Sequence, residues 1–120
     1  MGHMNQNKSP IEVMMDTALE EAVDVLNSGL TIHRQKKVLG YRADFLLENE
    51  VGAMLVVECD GHDFHERTPA QAQHDRSRDR KMQASGHFVM RFTGSEIYRD
   101  PLACALEAGE FIMGRYPLNG

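Results

Sequence analysis

Met54-Leu55-Val56-Val57-Glu58-Cys59-Asp60-Gly61 decides how the rest of this chain is read. Residues 54–57 are apolar, partly β-branched and bounded by Gly52 and Gly61, which predicts a buried strand. Glu58 and Asp60 end that strand two positions apart, so both carboxylates project on one face of the sheet. Two acids beside an apolar sheet are costly unless a cation or a hydrogen-bond network compensates them. A third acid, Asp44, belongs to the preceding strand-like run 41–47, and a turn around 48–52 would lay the two runs side by side. Three carboxylates converging on one sheet edge is the arrangement a hard divalent cation takes, and oxygen ligands favour Mg2+ or Mn2+ over zinc.

Upstream, Ser9-Pro10-Ile11-Glu12 has the pattern of a helix start: Ser9 caps, Pro10 suits the first turn, and Glu12 returns a bond in a capping box. Ile11, Met15, Ala18, Leu19, Ala22, Val23 and Leu26 recur at helical spacing, and Asn27-Ser28-Gly29 stops the helix. Residues 31–39 have strand character with a basic middle of Arg34, Lys36 and Lys37. Downstream of Gly61 comes a loop dense in titratable groups, His62-Asp63-Phe64-His65-Glu66-Arg67. Thr68-Pro69-Ala70-Gln71 repeats the capping-box pattern and opens a second helix to about residue 85. Gln71, Asp75, Arg78 and Met82 share one face of it, so if Met82 faces the core the other three line the sheet towards the acidic strand ends. A strand over 87–92 and a helix opened by Pro101 complete the order: helix, three strands, helix, strand, helix. The first three strands suit an antiparallel meander, and the helical crossover makes a parallel or mixed pairing of the fourth natural, giving an α/β fold with one central mixed sheet.

The 120 residues, 42% hydrophobic, suffice for one domain, expected over residues 9–116. Residues 1–8 are expected to be an unstructured, partly vector-derived leader. No apolar run approaches the roughly 18–20 residues of a membrane span, and no charged-then-apolar leader is present, so a cytoplasmic protein without membrane contact is expected. Cys59 and Cys104 make no disulfide framework, and Cys59 reads as a small buried thiol. The net charge of −5 argues against general electrostatic capture of nucleic acid, although Arg76, Arg78, Arg80 and Lys81 form a local basic cluster.

His62 and His65 suit general acid–base work or hydrogen bonding to a phosphate next to a hydrolytic metal. Glu12 already has a complete explanation as a capping residue. Arg76, Arg78 and Lys81 suit contacts to a phosphate backbone, though pairing with Asp75 and Asp79 along the helix accounts for some of them.

Taken together, SPIE, Gln35, GYRADF, LVVECDGHDFH, a D-R-x-R-D-R helix and GHFVMRFTGSEI resemble one known group. It is the very-short-patch-repair-like endonuclease group of the PD-(D/E)XK nuclease superfamily, and more closely a broad bacterial domain-of-unknown-function family related to it. The resemblance spans roughly residues 9–108 and implies the restriction-endonuclease-like core. By position, Asp44 matches the motif aspartate and Glu58 the acid of the D/E-x-K element. The backbone carbonyl of Cys59 falls where the superfamily often offers another metal ligand. His65 matches the histidine after the strand in repair-type members, Glu12 an acidic position on the first helix, and Asp75 and Arg78 polar positions of the second. Where the pattern has lysine this chain has Asp60, so His65, Arg78 or Lys81 must supply the positive group, or Asp60 must act as a ligand or base.

The resemblance implies Mg2+- or Mn2+-assisted hydrolysis of DNA phosphodiester bonds, in repair or restriction. Asp44, Glu58, the Cys59 carbonyl and Asp60 would hold the ion, with His65 and Glu12 joining the catalytic set. Gln35, Gln71, Asp75, Arg76, Arg78 and Lys81 would face the nucleic acid, positioning its backbone. The acidic net charge suggests modest affinity, or help from a partner protein or a homodimer. Two alternatives belong to other classes: a DNA-binding module of the same fold that does not cut, and a phosphohydrolase acting on small nucleotides.

Overall fold

Hydroxyl-led capping boxes open three of the four helices in the computed structural model, which describes residues 9–61 and 68–118. Ser9 and Glu12 start α1 (Pro10–Leu26), and Thr68 and Gln71 start α2 (Pro69–Ala84), as the sequence predicts. Thr93 and Glu96 start α3 (Gly94–Arg99), a single short helix absent from the sequence reading. Asp100 accepts from Ala103 N at 3.0 Å and opens α4 (Pro101–Ile112). The strands are β1 (Thr31–Val38), β2 (Tyr41–Glu48), β3 (Met54–Asp60) and β4 (His87–Thr93). The expectations for residues 1–8, and for the loop holding His62 and His65, lie outside the described residues.

The sheet runs in the order β1-β2-β3-β4, antiparallel across the first three strands and parallel between β3 and β4. This is the restriction-endonuclease-like α/β arrangement, with a crossover through α2 making the parallel step. One correction follows for the acids. The sequence reading put them at a sheet edge, but β2 and β3 are the two inner strands, so Asp44 and Glu58 lie centrally, flanked by strands on both sides.

Alternation along β2 and β3 feeds two cores. Phe45, Leu47, Leu55 and Val57 are buried against Met15 and Leu19 of α1 and Ala105 and Ile112 of α4. Leu46 and Val56 turn the other way, towards Met82 of α2. Met82 is the sole fully buried side chain of α2, so this helix rests on one apolar anchor and its polar contacts. Truncating such an anchor to alanine costs about 2–5 kcal/mol.

The alternation breaks at one level of the sheet. Ile32 packs against the first core and Val38 joins the second, although a regular strand would put both on one face. Ala43 likewise joins the second core while Phe45 joins the first. The register pairs Arg34 with Phe45 and Lys36 with Ala43, bracketing Gln35 and Asp44. Gln35 has φ +50, a left-handed conformation in mid-strand that costs a non-glycine residue roughly 1–2 kcal/mol. The break is centred where the candidate acids begin.

At the far end of β2, Asn49 is buried and fully bonded. Its Nδ2 donates to the carbonyls of Ile112 and Arg115 at 2.8 Å each, and its Oδ1 accepts from Val51 N and Ala53 N at 3.1 and 2.9 Å. It ties the β2–β3 turn to the end of α4.

Candidate active site

Asp44, Glu58, Cys59, Asp60, Gln71, Asp75, Arg78 and Arg91 line a cleft of about 340 Å³ between the C-terminal end of β3 and α2. The β2–β3 hairpin positions the acids: Phe45 pairs with Val57, so one step further along the ladder Asp44 stands level with Glu58. Asp44 Oδ2 accepts from Cys59 N at 2.8 Å, a side chain taking a main-chain donor of the neighbouring strand. Glu58 is 5% exposed, on the same face as Val56, and meets the guanidinium of Arg78, whose Nη2 lies 2.9 Å from Oε1. Its other oxygen, Oε2, is buried without a hydrogen-bond partner among the described residues.

Burial dominates the electrostatics. It pushes the Glu58 carboxyl up to about 7, helped by the charge of Asp44 and opposed by Arg78 and Arg91. Burial also lifts Asp44 to about 6; the Cys59 N–H opposes this, and the charge of the neighbouring Glu12 adds to it. Burial thus outweighs the arginine charges at both acids. The Cys59 thiol packs towards the first core, and burial raises it well above the ordinary thiol range, so it offers the cleft no thiolate.

Glu12 closes the capping box with one oxygen and reaches β1 with the other. Its Oε1 accepts from Ser9 N and Ser9 Oγ at 3.2 Å, closing the capping box, while Oε2 accepts from Gln35 Nε2 at 2.9 Å. Arg78 turns inward onto Glu58 and under the Tyr41 ring, 5.6 Å from its centroid. Asp75 is half-buried, and Gln71, Arg76 and Lys81 are exposed along α2. Asp79 pairs with Arg91 of β4 at 2.8 Å.

The convergence expected of three carboxylates is looser than the spacing suggested. Among the described residues, no three His, Cys, Asp or Glu side chains gather closely enough to hold an ion by themselves. Arg78 draws Glu58 towards α2, whereas Asp44 is held by the Cys59 amide. A hard cation that keeps several waters needs only one or two carboxylates. The all-oxygen donor set and the orphaned Glu58 Oε2 fit such an ion.

Arg91 went unnoticed in the sequence. It is the single charge within the apolar run of β4, and the parallel register sets it beside Glu58, which its own position could have signalled.

The family model REase_MTES_1575, describing a restriction-endonuclease-like family, matches residues 20–111. The chain belongs to this family. The match to REase_MTES_1575 covers β1 to β4, the C-terminal part of α1 and most of α4, hence the whole sheet that carries Asp44 and Glu58. No curated protein and no solved structure matches the chain. The family makes this a restriction-endonuclease-type domain with nuclease-like function. Among the described residues, no helix is long and apolar enough to cross a membrane.

Proposed function

We propose that this protein is a metal-dependent endonuclease that hydrolyses DNA phosphodiester bonds, in the manner of the very-short-patch-repair-like enzymes. The observation that carries the reading is the buried pair Asp44 and Glu58, level with each other on adjacent strands and lining a polar cleft, in a chain of this family.

Asp44 and Glu58 would hold Mg2+ or Mn2+, with the Cys59 carbonyl and Asp60 as further oxygen donors. When bound, such an ion polarises a phosphate oxygen and makes water more acidic. Arg78 supplies, from α2, the fixed positive charge that Asp60 cannot give at the motif lysine position. Its guanidinium is well suited to a phosphate because it presents a planar fork of donors. Glu12 orients Asp44, and Arg76, Lys81 and Gln71 on the exposed side of α2 align the backbone without reading bases. His65 is proposed to move the proton, from the loop that follows β3.

A second reading, a module that binds DNA without cutting, is favoured by one observation: Glu58 is held by Arg78 in an ion pair. Supercoiled plasmid, mismatched duplexes, RNA and free nucleotides, each with Mg2+ or Mn2+, separate the readings. Metal-dependent cutting of DNA with no turnover of free nucleotides supports the endonuclease. Duplex binding without cutting supports the module.

A further inference from the structure

Gln35 carries two local penalties at one position. Its backbone is left-handed inside a strand, and its Oε1 is buried without a partner among the described residues. No turn accounts for this, since β1 continues through Lys36 and Lys37 to Val38. Such strain persists only where the surroundings over-determine it, and an orphaned amide oxygen is not an arrangement optimised for stability.

The gain is a single contact. The face switch at Gln35 turns its amide to the α1 side, where Nε2 donates to Glu12 Oε2 at 2.9 Å. Capping of α1 needs only the other oxygen, because Ser9 N and Oγ both go to Oε1. Glu12 carries its charge beside Asp44, which stands opposite Gln35 between the Arg34–Phe45 and Lys36–Ala43 pairs and accepts from Cys59 N at 2.8 Å. Gln35, Glu12, Asp44 and Cys59 thus lie together across β1, α1, β2 and β3, with Gln35 bonded to Glu12 and Cys59 to Asp44.

We infer that Gln35 is a positioning residue that locks Glu12 against Asp44 before substrate arrives. This rests on the nuclease reading of Asp44 given above. Gln35 itself touches no reacting atom; it fixes the acid that fixes the metal-binding carboxylate. Partners of this kind typically contribute about 10- to 100-fold in activity.

Gln35→Gly and Gln35→Ala separate positioning from backbone accommodation. Both remove the amide, but only glycine relieves the left-handed strain. The expected result is a higher Tm for the glycine than for the alanine variant, with both losing about 10- to 100-fold in kcat at a KM within about twofold of the parent. In the metal-free protein, exchange of the Cys59 amide should accelerate about tenfold in both, since Asp44 is no longer held. Wild-type cleavage by the glycine variant, or unchanged Cys59 protection, would overturn the inference. If the parent protein cuts no nucleic acid, the functional reading falls, and Cys59 exchange alone decides the positioning role.

Discussion

Arg78 Nη2 lies 2.9 Å from Glu58 Oε1, with the two side chains 17% and 7% exposed, and joins α2 to the acidic end of β3. Removing one member of a buried pair can cost about 3–5 kcal/mol, because the other charge is left uncompensated. Glu58 escapes part of that cost by taking up a proton, since its carboxyl is already raised to about 7. Arg78→Met should therefore lower Tm more at about pH 8 than at about pH 5. Thermal melts at both values check this, and an equal loss at the two would count against it.

The acids set a pH dependence opposite to that of ordinary surface carboxylates. Folding raises Asp44 from 3.8 to about 6 and Glu58 from 4.5 to about 7. Between the unfolded and folded values the native state binds more protons, so stability falls as pH climbs from about 4 through about 7. The destabilisation is absent below the unfolded values and complete above the folded ones. Metal-free Tm should decline over this window, and Glu58→Gln should flatten the decline. Mn2+ should raise Tm more at about pH 8 than at about pH 5, because ligand carboxylates must be deprotonated to bind. Titration calorimetry in two buffers of different ionisation enthalpy should register the released protons.

Asn49 tests the scaffold apart from the chemistry. Its four hydrogen bonds satisfy main-chain groups of the β2–β3 turn and the end of α4. Asn49→Ala should cost about 3 kcal/mol, since it strands buried donors and acceptors. Denaturant unfolding measures the loss. Cleavage well below the lowered Tm should stay near the parent rate, because Asn49 does not line the acidic cleft.

Local chemistry made most of the framework legible. The Ser9–Glu12 and Thr68–Gln71 boxes, the apolar run of β3 and the Met82 face of α2 each depend on residues close in sequence. A crossover long enough to contain a helix made a parallel or mixed pairing of the last strand legible, and the fold takes the parallel one. Long-range pairing was not legible. Nothing near Gln35 signals its left-handed φ, which follows from its Glu12 contact 23 positions away. The Met82 face directs Arg78 towards the acidic strand ends, but its pairing with Glu58 in particular needed the fold. Asp44 and Glu58 were identifiable as a pair, but their separate restraints, which pull them towards different elements, were not.

Cleavage of supercoiled plasmid with Mg2+ or Mn2+ by the parent, Asp44→Asn and Glu58→Gln proteins tests the central claim most directly. These isosteric changes keep the fold, which circular dichroism checks, and delete the charges proposed to hold the ion. The account predicts nicking by the parent that EDTA abolishes, with each variant reduced by about 100-fold or more. Nicking that survives in both folded variants would contradict it.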